Sequence, residues 1–120
     1  MSVSDIKRSQ KESLLFREVA SLFLQLTLDN PILSGLSITR TQLSSDKSVC
    51  KILFYHPEGK AKFDELLEVL KLYRPSVRKA LADRVRFRYV PEILFKFDAE
   101  YSKQVRIDEL FEKLKNKGEL

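Results

Sequence analysis

One cysteine, Cys50, and one histidine, His56, carry all the thiol and imidazole chemistry of these 120 residues. A lone cysteine forms no intrachain disulfide, which fits a reducing compartment. A zinc site needs further Cys or His ligands, and nucleophilic catalysis needs an activating base and an oxyanion site beside the nucleophile. No metal, no catalytic residue and no enzyme activity are therefore expected. Three glycines, far apart, leave no phosphate-cradling loop of the Gly-x-x-x-x-Gly-Lys-Ser kind, so no nucleotide cofactor or small-molecule substrate is expected. No apolar run approaches the roughly 18–20 residues of a membrane span, and Leu22–Leu28 is interrupted by Gln25 and Thr27. Met1 to Glu12 is polar, without a secretory apolar core, which places the expected protein in the cytoplasm and off the membrane. With 43% hydrophobic residues and only four prolines, the chain is not of low complexity. One domain over residues 1–120 is expected, its tail fraying from about 115.

What the chain does have is basic charge in one place. Lys71, Arg74, Arg78, Lys79, Arg84, Arg86 and Arg88 stand against a single acid, Asp83, which makes this stretch +6. The whole chain is +5, so everything outside the stretch nets −1. A localised basic patch on a neutral remainder is the footprint of a polyanion partner. The plain alternative is a solvated helix face. Five of the seven are arginine, whose planar fork of donors suits phosphate oxygens, where a solubilising face has no need to prefer it over lysine. Arg86-Phe87-Arg88-Tyr89 alternates cations with rings; a ring there can stack on a base, and Phe87 is expected inside. Lys7, Arg8 and Lys11, together with Lys51, extend the basic surface, although Glu12 and Glu18 lie close by.

Apolar periodicity sets the architecture. Leu15, Val19, Leu22 and Leu26 form a helical stripe within about Asp5–Leu28, capped by Ser4 or Asp5 and stopped at Asn30-Pro31. Leu36–Leu43 and Val49–Tyr55 read as two strands of a hairpin joined through Ser44–Lys47. Cys50 shares a strand face with Ile52 and Phe54, so a buried thiol is expected, while His56 in the turn His56-Pro57-Glu58-Gly59 is expected exposed. A second helix runs from Lys60 to about Tyr73. Pro75 should kink it or restart it toward Val85, because proline lacks the amide donor and clashes with the preceding turn. Ile93–Phe97 reads as a third strand, and Val105, Ile107, Leu110, Phe111 and Leu114 as a short final helix. The carboxylate pairs Asp64-Glu65 and Asp108-Glu109 lie on helix surfaces among lysines, where helix pairing explains them. The resulting fold class is α+β, a three-stranded sheet covered by helices on one face.

That order, with its basic break in the second helix, resembles a type II KH domain, and more narrowly the ribosome-binding factor A family. The likeness is carried by Phe16-Arg17-Glu18-Val19-Ala20, Ser45-Asp46-Lys47-Ser48-Val49-Cys50-Lys51 and Val77-Arg78-Lys79-Ala80-Leu81. Its most specific pieces are the Arg-x-x-Pro-Glu-hydrophobic-x-Phe run from Arg88 to Phe95 and Arg-Ile-Asp-x-Leu at Arg106–Leu110. The resemblance implies an interhelical kink in place of the Gly-x-x-Gly loop of ordinary KH domains, and the aligned positions here read Tyr73-Arg74-Pro75. It implies a monomeric, non-enzymatic RNA-binding factor that associates with free 30S ribosomal subunits. It further implies contact near the 5′ end of 16S rRNA and assistance in its late maturation and processing. Charge and composition alone reach only as far as a polyanion binder. The alternative they leave open is a protein-interaction module whose basic face meets an acidic protein.

Overall fold

A computed structural model describes residues 3–118, with side chains from Ile6 onward. Helix α1 (Val3–Asp29) already includes Ser4 and Asp5, so neither is the residue preceding it as expected, and the last two residues of the tail lie outside the described residues. The helix buries Leu15, Val19 and Leu22 of the expected stripe together with Phe23, while Leu26 is half-buried at its edge. It is followed by a 3-10 turn at Pro31–Leu33 and by strands β1 (Ser37–Leu43) and β2 (Val49–Tyr55). Helix α2 (Lys60–Arg84), strand β3 (Glu92–Phe97) and helix α3 (Ala99–Asn116) complete the order.

The sheet runs β1-β2-β3, antiparallel between β1 and β2 and parallel between β2 and β3. A parallel pair cannot be joined by a tight turn, so α2 serves as the crossover. Strand β2 is central and presents Cys50, Ile52 and Phe54 to the helices α1 and α2. Phe54 is 1% exposed and sits among the rings of Phe23, Phe95 and Phe63, with centroids 5.3, 5.8 and 6.0 Å away. Such pairs contribute about 0.5–1.5 kcal/mol each beyond their area. Burial pushes the Cys50 thiol up to about 11, with the Glu12 charge adding to it, so the sulfur stays protonated and unreactive at neutral pH.

Two further expectations need correction. Pro75 does not restart the second helix: Lys60–Arg84 is one helix with Pro75 inside it, so of kink or restart it is the restart that is overturned. Val77 and Leu81 continue the buried row of Phe63, Leu66 and Leu70 at helical spacing. The proline is exposed, away from the buried row, and it leaves the Lys71 carbonyl without its amide partner. His56 is not exposed; it is 5% accessible. Its turn folds back on itself, with Gly59 N–H donating to His56 O at 2.9 Å and Glu58 N–H donating to His56 Nδ1 at 3.0 Å. The ring then fills the space beside Gly35, where an added Cβ would lie 2.2 Å from His56 Nε2. Gly59 has φ 89°, the left-handed region that lets the turn enter α2 directly.

Candidate nucleic-acid interface

The segment between α2 and β3, residues 85–91, carries the alternating cations and rings. Val85 closes α2 with extended backbone, its N–H donating to Leu81 O at 2.8 Å. Alternation then buries Val85, half-buries Phe87 and leaves Arg86 outside. The chain bends at Arg88–Tyr89, and the bend interrupts the alternation: both side chains point to solvent. Pro91 is buried again, and Glu92 N–H donates to Ser48 O at 2.9 Å as β3 begins.

This segment is fixed at both ends by basic residues. Lys11 of α1 donates to the carbonyl of Arg86, and its ammonium lies 5.2 Å from the centroid of the Phe87 ring. Arg78 of α2 donates to Pro91 O at 3.1 Å and to Val90 O at 3.0 Å, with Glu92 Oε1 3.9 Å away. The seven basic residues therefore divide. Arg78 holds the segment in place. Arg84 lies 3.5 Å from Glu18, and Lys71 lies 3.1 Å from Glu68 on its own helix. The Arg74 guanidinium sits 5.7 Å from the Phe95 ring centroid, with its Nε buried and without a hydrogen-bond partner among the described residues. Lys79, Arg86 and Arg88 are exposed and form no ion pair among the described residues.

Of the basic residues outside the 71–88 stretch, Lys11 is the one with a hydrogen bond or ring contact to it among the described residues. Lys11 and Glu18 bring α1 against the C-terminal end of α2. Arg8 and Lys51 line one surface depression with Glu12, Gln42 and Ser44. Lys7 is exposed on the first part of α1. Lys71 and Arg84 are thirteen residues apart on α2, which is about 20 Å along its axis. At about 100° per residue Lys71, Arg74 and Arg78 share one side of α2 while Lys79 and Arg84 turn away from it, so the helix does not present the five together as one face; Arg86 and Arg88 are exposed on the segment beyond it. At Tyr73-Arg74-Pro75 the backbone stays helical and Tyr73 receives a hydrogen bond at its hydroxyl from Asn30 Nδ2 at 3.3 Å.

Two anchors of this surface were not evident from charge. Glu12 accepts the Leu43 amide at 2.6 Å through its carboxylate, and its backbone carbonyl accepts the Thr41 hydroxyl at 2.6 Å. These bonds cover the outer edge of β1 with α1 and so position Lys7, Arg8 and Lys11. The structural work of Lys11 and Arg78 on backbone carbonyls is the other. No helix among the described residues is long and apolar enough to cross a membrane.

A three-stranded mixed sheet with α1 and α2 on one face and a basic face beside the β3 entry defines an α+β, type II KH-like domain. A family model described as ribosome-binding factor A matches residues 7–111. Ribosome-binding factor A of Prochlorococcus marinus (strain AS9601) is 32% identical over 114 residues, covering 93% of this chain and 88% of that protein. The corresponding protein of Syntrophus aciditrophicus (strain SB) is 30% identical over 118 residues, covering 98% and 95%. Among solved structures, the crystal structure of ribosome-binding factor A from Thermus thermophilus matches with a TM-score of 0.63 and 27% identity. It covers 73% of this chain and 92% of that one. The chain belongs to the ribosome-binding factor A family.

Proposed function

We propose that this chain is a non-enzymatic, monomeric, cytoplasmic RNA-binding factor that associates with free 30S ribosomal subunits. It assists late maturation and processing of 16S rRNA, near the 5′ end of that RNA. The ribosome as partner is supported by family membership. RNA as the surface contacted is supported by one observation above the rest: Arg86 and Arg88 are exposed, lack acidic partners among the described residues, and stand on a segment fixed beforehand by Lys11 and Arg78. A backbone fixed beforehand loses little freedom on binding, and cations without counter-charges have no ion pair to break when they meet phosphates. In this reading the arginines neutralise backbone phosphates and hold an immature RNA conformation, and the factor leaves when that surface is remodelled. Nucleases act on the precursor; the factor only shapes it. The buried, protonated Cys50 and the packed His56 fit that division of labour.

Sedimentation of a cell lysate through a sucrose gradient tests the partner. The protein is expected with free 30S particles; migration with 70S ribosomes or with neither would overturn the reading. Titration with naked RNA at several salt concentrations tests the surface. A steep log–log slope is expected, whereas indifference to RNA with retention on 30S particles would mean that the basic face meets an acidic protein instead.

A further inference from the structure

Tyr89 is 78% exposed, the most exposed aromatic side chain among the described residues. By strand-like alternation it would follow Val85 and Phe87 inward; the bend at Arg88–Tyr89 turns it out. Lys11 covers Phe87, which removes that ring from contention as a stacking surface. The Arg88 guanidinium lies 5.7 Å from the Tyr89 ring centroid, backing the ring with positive charge. A large apolar surface is thus held in water, on a short segment tied down at both ends, beside two exposed arginines that lack acidic partners among the described residues.

We infer that Tyr89 stacks on an unpaired base of the bound RNA, so that the interface selects a loop, bulge or end over a continuous duplex. This rests on the RNA-binding reading above. The bases of an A-form helix present edges in its grooves while their faces are occupied by neighbouring bases. An exposed ring can reach a base face only where the strand is unstacked. Arg86 and Arg88 would then take phosphates next to the splayed nucleotide, and Tyr89 would supply the contact that distinguishes single-stranded from paired RNA.

The test uses the full chain and two fluorescein-labelled hairpin RNAs of equal length closed by the same compact tetraloop, one with a fully paired stem and one with an internal loop of unpaired adenines in the stem. The natural chain is expected to bind the looped hairpin more tightly. Tyr89→Ala is expected to lose about tenfold on the looped hairpin, with no change on the paired one and the same salt slope. Tyr89→Phe should keep the preference, because the ring and not the hydroxyl does the stacking. The double substitution Arg86→Ala with Arg88→Ala should weaken both RNAs and reduce the log–log salt slope by about 0.7–0.9 for each phosphate left without its arginine. Equal affinity of the natural chain for the two hairpins, with the arginine variant weakened, overturns the stacking inference and leaves the RNA reading standing. No effect of the arginine variant on either hairpin overturns the RNA reading itself. Tyr89→Ala binding both hairpins normally but failing to sediment with 30S particles would assign the ring to a protein contact, again against stacking.

Discussion

Helix α3 and the C-terminal half of α2 have the same kind of sequence and opposite fates. Val77, Leu81 and Val85 follow the helical repeat and are 6%, 0% and 3% exposed, packed into the core. Ile107, Leu110 and Phe111 follow it equally well and are 38%, 58% and 56% exposed; α3 buries no residue at all. What locates α3 is polar. The Asp98 carboxylate caps it by accepting the Tyr101 amide at 3.0 Å, and accepts Thr39 Oγ1 at 2.6 Å and Arg40 Nε at 3.0 Å. The register of β1 shifts between Ile38 and Arg40, and the neighbouring Thr39 and Arg40 both reach that carboxylate. Tyr101 then stacks edge-on against Tyr55, with centroids 5.1 Å apart. Helical periodicity therefore specifies a helix and its apolar side, but not that the side has a partner within the same chain.

The sharpest way to break this comparison is to truncate one leucine on each helix. Leu81→Ala removes a fully buried side chain and is expected to cost about 2–5 kcal/mol, read as a lower denaturation midpoint. Leu110→Ala should stay within about 0.5 kcal/mol, as surface substitutions do. Comparable losses in the two variants would mean that α3 is packed on the domain in solution.

Next in size is the polar lock. Asp98→Ala removes a helix cap and a charged hydrogen-bond acceptor, an expected loss of about 2–3 kcal/mol, accompanied by faster amide exchange confined to α3. Its pH dependence has a defined sign. Burial alone would raise the Asp98 pKa, but the bonds from Thr39, the Tyr101 amide and Arg40, with the guanidinium charge, outweigh it and hold the carboxyl below its usual range. The folded state then binds the proton less readily than the unfolded one, so the stabilisation is complete above the unfolded value of about 3.9. It is lost as the pH falls through the lower folded value. Asp98→Asn should flatten that acid limb below about pH 4; an acid limb identical to that of the natural chain would remove Asp98 from this role.

The contrast also explains what could be read from the residues beforehand. Element order, the core stripe of α1 and the buried Cys50 were legible, because burial follows a local period that each segment carries by itself. Phe87 as the inner ring was legible by the same alternation. His56 was misread as exposed, since nothing local announces that Gly35, twenty-one residues earlier, leaves a space shaped for the ring. The division of the arginines was illegible for a related reason. Arg78 is committed to carbonyls twelve and thirteen residues away, and charge patterning cannot separate such a residue from Arg86 or Arg88. A restart at Pro75 follows from the local rule alone, and it yields to the buried row on either side of the proline, which keeps Lys60–Arg84 one helix.

Pro75 is therefore the third point of leverage. Pro75→Ala restores an amide that can donate to the Lys71 carbonyl, on a helix whose core row is already continuous. The added freedom of the unfolded chain moderates the gain, leaving an expected stabilisation of about 1 kcal/mol. Sedimentation with 30S particles should be unchanged, because Val77 and Leu81 already keep helical register with Leu70. A stabilised variant that no longer sediments with the subunit would show that the proline shapes the binding face after all.

The smallest expected effect decides whether the α2 side is held together at the expense of binding. Glu18 lies 3.5 Å from Arg84, and both side chains are about one-third exposed. Glu18→Gln removes the counter-charge while keeping the length and packing of the side chain. An exposed pair of this kind contributes little, so stability should move by no more than about 0.5 kcal/mol. Arg84 is then released beside Arg86 and Arg88, and RNA affinity should rise, with a log–log salt slope steeper by about 0.7–0.9 if the freed guanidinium meets one phosphate. An unchanged slope in the folded variant would place Arg84 with Arg78, among the residues that build the face, and leave Arg86, Arg88 and Lys79 as the cations that use it.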